Sequence, residues 1–135
     1  MTTVAANVRT KSVYESPAAD DGKRILATQY WPRGVSRDSI DEYVRALAPS
    51  RELLHSFKDG AIAWSELRNG YLTEMQGEDR QREIKRIAKI AAHEPINLLC
   101  VCRDAEQCHR SILAELVGAA AGYHEMITAN EGAFP

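Results

Sequence analysis

Ile96-Asn97-Leu98-Leu99-Cys100-Val101-Cys102-Arg103-Asp104-Ala105-Glu106-Gln107-Cys108-His109-Arg110 is the stretch whose reading decides the fold. The apolar run at 96–102 follows Pro95 and has the length and density of a strand buried on both faces. A short polar stretch comes next. From about 107 to 121, Ile112, Leu113, Leu116, Val117 and Ala120 recur at helical spacing, and Gly122 is a natural stop. Strand, tight loop and helix start form the unit at which α/β proteins bind anions or do chemistry.

Two further strands are expected upstream. Residues 8–14 fit an edge strand, because Arg9 and Lys11 interrupt Val8, Ser12, Val13 and Tyr14. Residues 24–30 carry the apolar run Ile25-Leu26-Ala27 and end at Trp31-Pro32-Arg33-Gly34, a shaped loop. Four helices are expected between that loop and Pro95. The first starts at Ser36 with an Ile40, Tyr43, Val44, Leu47 stripe, and a short second one at 52–57 is capped by Ser50. The third spans 62–75 and the fourth 78–93. The chain therefore reads as α/β, a small three-layer domain with a central, mostly parallel sheet of about three strands flanked by helices. It reads as one domain over 1–135, with loose tails at 1–7 and 123–135.

Composition narrows the function classes. Lys+Arg 17 against Asp+Glu 19 gives a net charge of −2, which disfavours sequence-independent nucleic-acid binding. Three cysteines, an odd number with two of them only two residues apart, argue against a disulfide framework and for a reducing compartment. Residues 1–7 lack a signal pattern, and no apolar run approaches the ~20 residues of a membrane span. The expectation is a cytoplasmic protein away from the membrane.

The candidate chemistry lies at the two strand-end loops. A thiol at a helix start is stabilised as thiolate by the unpaired N–H groups and the dipole there. His109 titrates near neutrality, and Arg110 can hold a phosphate or carboxylate in a two-pronged grip. Cys108 is thus the candidate nucleophile and His109 the candidate proton donor or acceptor. Tyr30, Trp31, Arg33, Cys102 and Arg110 are the candidate ligand-binding residues, if the second and third strands run parallel and bring both loops to one rim. The expected partner is a small anionic ligand, a phosphate-bearing nucleotide or metabolite, with no cofactor.

Four alternatives stand beside this. Cys102-x5-Cys108 matches the thiol-phosphatase loop in length only, since the arginine expected there is Cys108. Zinc on Cys100, Cys102, Cys108 and His109 is disfavoured, because the spacing lacks paired C-x2-C knuckles and adjacent Cys108 and His109 rarely face one ion. Cys100 reads as a small core residue. A redox pair of Cys102 with Cys108 is the remaining thiol option. The non-catalytic alternative is a regulatory module docking a protein or nucleic acid through Arg80, Arg82, Lys85, Arg86 and Lys89.

Four segments carry a family resemblance. Gln29-Tyr30-Trp31-Pro32-Arg33-Gly34-Val35 resembles an "RYWPRGV" segment, and Ala48-Pro49-Ser50-x-Glu52-Leu53 an "APSxEL" segment. Trp64…Tyr71-x-x-Glu74-Met75 resembles a "W-x6-Y-x2-E" helix, and Leu98-Leu99-Cys100…Cys108-His109-Arg110-x-x-Leu113 a closing "LLC…CHRxxL". In this order, over about 8–117, they resemble the short bacterial and archaeal form of domain-of-unknown-function family 488, DUF488. The resemblance implies a compact α/β domain and draws attention to Arg33, Cys108, His109 and Arg110. It implies no established reaction. Longer relatives carry an acidic "DVR" at the end of the second strand, where Gln29-Tyr30 stand here.

Overall fold

The strand β4 (Ile96–Cys100) is the axis of the sheet, buried at all five positions. A computed structural model describes residues 7–102 and 108–133, with side chains described as far as 122. The other strands are β1 (Val8–Ser12), β2 (Lys23–Leu26) and β3 (Glu42–Tyr43). Their order is β1-β4-β2-β3, and each neighbouring pair is parallel. Strand β1 lies at an edge, as its charges require. Because every strand points the same way, the segments leaving β1, β2 and β4 emerge on one rim.

Alternation along the strands divides the core. Val8, Ile25, Ile96 and Leu98 face a large apolar cluster shared with Tyr71, Ile84, Ile87, Leu113 and Val117. These come from α2 (Trp64–Glu74), α3 (Glu78–Ala91) and α4 (His109–Ala133). Each fully buried large aliphatic there contributes roughly 1.5–3 kcal/mol. On the other face, Val13, Leu26 and Leu99 pack against Trp31, Val35, Ile40 and Tyr43. The layer there is built from the segment that follows β2.

The first expected helix is where the structure differs most from the sequence reading. Residues 36–48 form a 3-10 turn (Arg37–Ser39), the short β3, and a second 3-10 turn (Arg45–Leu47). The Ile40, Tyr43, Val44, Leu47 stripe serves two cores instead of one helix face. Ile40 and Tyr43 join the small cluster, and Val44 and Leu47 the large one. Ser36 does cap, accepting a bond from the Asp38 N–H, but the turn is 3-10. This adds a fourth strand to the expected three. The later helices fall where expected. Ser50 caps α1 (Arg51–Lys58) through the Leu53 N–H. Strand β4 ends at Cys100 instead of 102, and α4 runs past Gly122 to Ala133, so that glycine does not stop it. Residues 1–6 of the expected N-terminal tail and the predicted loop at 103–107 lie outside the described residues.

The helix α2 is pinned to the rim by Tyr71. Its hydroxyl donates to the Leu47 carbonyl oxygen at 2.6 Å, and its ring meets the His109 ring edge-on at 5.6 Å. Burial drives its phenol pKa upward, so it stays a donor. Tyr71→Phe leaves that carbonyl unpaired and is expected to cost about 1–3 kcal/mol in urea unfolding. An unchanged midpoint would show that this bond carries no net stability.

Candidate functional site

A cavity of about 340 Å³ opens at the carboxyl rim of the sheet. Its wall is the segment after β2, with Thr28, Gln29, Tyr30, Trp31, Pro32 and Arg33. Tyr14, just past β1, and Leu54 and Lys58 of α1 close the sides, and Val101, Cys102 and His109 complete the lining. Local bonds hold the wall in shape. Thr28 Oγ1 donates to the Tyr30 carbonyl at 2.7 Å, Tyr14 Oη to that of Arg33 at 3.2 Å, and Trp31 Nε1 to that of Val35 at 3.0 Å. The last bond folds the chain back across Gly34, which adopts φ 75° in the left-handed region. Gln29 donates through Nε2 to the Pro49 carbonyl at 3.0 Å.

The cavity's described lining carries Arg33 and Lys58 and no carboxylate. Arg51 lies over the Tyr30 ring at 5.6 Å and adds a third cation at the rim. Tyr30 is 47% exposed and Tyr14 51%, so two aromatic rings stand open to solvent beside the cations.

His109 is the first residue of α4 and is buried. Burial pushes its pKa down to about 4, and the nearby Arg110 charge acts the same way, outweighing the opposing Ala27 carbonyl. The ring is therefore neutral at pH 7. Its Nε2 lies 2.6 Å from the Ala27 carbonyl oxygen, which can only accept, so Nε2 carries the hydrogen and Nδ1 the lone pair.

The three cysteines converge beneath the cavity. The sulfurs of Cys100, Cys102 and Cys108 lie within 4.8 Å of one another, and those of Cys100 and Cys108 are in bonding contact. Cys108 is 1% exposed and Cys100 fully buried, while Cys102 is partly exposed and lines the cavity. Arg110 is buried beside them. One of its Nη atoms donates to the Cys102 carbonyl at 2.6 Å and lies 3.8 Å from Cys100 Sγ.

A family model described as "Active DUF488-N3 subclade" matches residues 8–121. The chain belongs to the DUF488 family. Its sequence is 33% identical over 111 residues to the uncharacterized protein YeaO of Escherichia coli, covering 81% of this chain and 95% of the relative. It is 26% identical over 112 residues to the uncharacterized protein Mb3100c of Mycobacterium bovis, covering 82% and 92%. No solved structure matches significantly.

The DUF488 rim brings together most of the residues singled out by sequence. Tyr30, Trp31, Arg33, Cys102 and His109 line one cavity. Arg110 does not share it with Arg33; it sits behind the wall, turned toward the sulfurs. Cys108 likewise lies behind, and its sulfur meets Cys100, not Cys102 as the redox-pair reading had it. Cys100 is buried in the core as expected, and its sulfur in addition meets that of Cys108. The expectation against zinc on Cys100, Cys102, Cys108 and His109 rested on spacing and on the adjacency of Cys108 and His109; the three sulfurs lie together, with His109 outside the group.

Sequence reasoning missed Tyr14, Lys58, Thr28 and Gln29. Tyr14 was signalled by its place just after an edge strand, on the same rim as the other loops. Lys58 carried no such signal, because nothing in the sequence tells which face of α1 meets the rim. The proposed docking face on α3 is largely engaged. Arg80 bonds the carbonyls of Ala46 and Ala48, Arg82 pairs with Asp79, and Arg86 pairs with Glu42 and Glu83. Among the described residues no helix is long and apolar enough to cross a membrane.

Proposed function

We propose that this DUF488 protein binds a small anionic ligand of the phosphate-bearing nucleotide or metabolite class in the rim cavity. The observation that supports this is the lining: two cations, no described carboxylate, and exposed aromatic rings around about 340 Å³. That volume falls within the roughly 300–1,000 Å³ of small-molecule sites. Arg33 and Lys58 take the anionic group, Arg33 through its planar fork. Tyr30 and Trp31 supply flat apolar surface for a ring. Neutral His109 serves as a hydrogen-bonding group. A role for Cys108 as an attacking thiol requires its contact with Cys100 to open.

Calorimetric titration with adenosine monophosphate and, separately, inorganic phosphate tests the reading. Arg33→Ala and Lys58→Ala are each expected to weaken binding about tenfold, as loss of one charge-assisted contact of ~1.5 kcal/mol would. Both side chains are exposed, so neither substitution threatens the fold. No binding by the wild type, or equal binding by both variants, overturns the proposal.

A further inference from the structure

We infer that Cys100, Cys102 and Cys108 form a tris-thiolate site for a zinc ion at the floor of the rim cavity, a proposal independent of the anion reading.

Three observations carry it. The first is convergence. All three sulfurs lie within 4.8 Å of one another. A tetrahedral zinc with bonds of about 2.3 Å holds its thiolates roughly 3.8 Å apart, so small movements bring them into place. The second is backbone spacing. The Cα atoms of Cys100 and Cys108 are 7.9 Å apart. Disulfides usually span about 4.4–6.8 Å, whereas an ion between two sulfurs bridges a wider gap.

The third is charge. Arg110 is 4% exposed and its Nε has no hydrogen-bond partner among the described residues. A buried guanidinium is costly unless an anionic group lies beside it. Its Nη is turned to Cys100 Sγ and the Cys102 carbonyl. Three thiolates on a divalent ion leave one net negative charge, and Arg110 carries one positive charge. The assembly is neutral as a whole, which is what a buried site requires.

Local structure explains how the residues meet. Cys100 ends β4, Cys102 follows two positions later beyond the bend at Val101, and Cys108 immediately precedes α4, its carbonyl accepting from Ser111 N. The thiols give up their protons to solvent as the metal binds. Three protein ligands leave one of zinc's four positions for a water, the arrangement of reactive rather than purely structural zinc sites.

The test uses the full chain, reduced and freed of metal with a chelator, then titrated with cobalt(II) as a spectroscopic probe. The expected result is saturation at one equivalent, with the thiolate-to-cobalt charge-transfer band and the visible bands of tetrahedral cobalt, all abolished by stoichiometric zinc. Cys102→Ser, at a partly exposed position, is expected to keep the wild-type circular dichroism and lose the charge-transfer saturation. Cys108→Ser is expected to do the same if it folds. Arg110→Gln should weaken zinc about tenfold while leaving the band shape unchanged. The proposal is overturned if the reduced wild type shows no charge-transfer band, or if folded Cys102→Ser saturates as the wild type does.

Discussion

Gly22→Ala is expected to lower folding stability by about 3 kcal/mol or more, enough to unfold much of the population of a marginal domain. Gly22 has φ 68°, where a side chain costs roughly 1–2 kcal/mol. A Cβ there would also fall on the Pro95 carbonyl oxygen and 2.6 Å from its carbon. Those are backbone atoms and cannot swing away. The same oxygen accepts the Lys23 N–H at 2.9 Å, at the point where β2 begins pairing with β4. Relief would shift that register, and overpacking of this kind costs a further ~1–3 kcal/mol. Gly60 is the internal control, because its φ is 77° but nothing lies within 4 Å of its Cβ position. Gly60→Ala should show the conformational cost alone. Equal losses in urea denaturation for the two variants would contradict the clash.

Acid is expected to remove stability in two windows. His109 has a folded pKa of about 4, below its ordinary 6.5, chiefly through burial. The unfolded chain therefore takes its proton first, and stability falls as pH drops from about 6.5 to 4, by roughly 3 kcal/mol at most. Asp21 acts lower. Burial alone would raise its pKa, but the Ala18 N–H, Lys11 and Arg24 together hold it at about 2 against an ordinary 3.8. Its contribution is intact above about pH 4 and is lost as pH falls toward 2, roughly 2 kcal/mol in all. Urea midpoints against pH should flatten between 6.5 and 4 in His109→Asn, and between 4 and 2 in Asp21→Asn. A variant curve parallel to the wild type in its window would remove that residue from the account.

The sequence made the sheet largely legible and the cavity partly so. Strand β4 and the run Ile25-Leu26-Ala27 stand out because two-sided burial leaves continuous apolar residues. Residues 40–47 misled, since a helix stripe and a turn-strand-turn that feeds two cores can share one spacing. The path of the chain after β2 settles which forms, and that path depends on long-range packing of Trp31 on Tyr43, with ring centroids 5.5 Å apart. At the site, Arg33 and Cys102 were readable from their place at strand ends. The inward turn of Arg110 was not, because a guanidinium in a first helical turn faces solvent or core according to what lies beneath it. What lies beneath here is sulfur. Cys100 and Cys102 did carry a signal, two thiols only two residues apart at the end of the buried strand.

The anion reading and the fold meet at one point: parallel strands deliver Arg33 from one loop and Cys102 from another to the same cavity, with Lys58 across from them. A crystal structure of the protein grown with adenosine monophosphate tests this most directly. The account predicts the phosphate against Arg33 and Lys58 and the base against Tyr30 or Trp31. Nucleotide density on the exposed face of α3, with the rim cavity filled only by solvent, would contradict it.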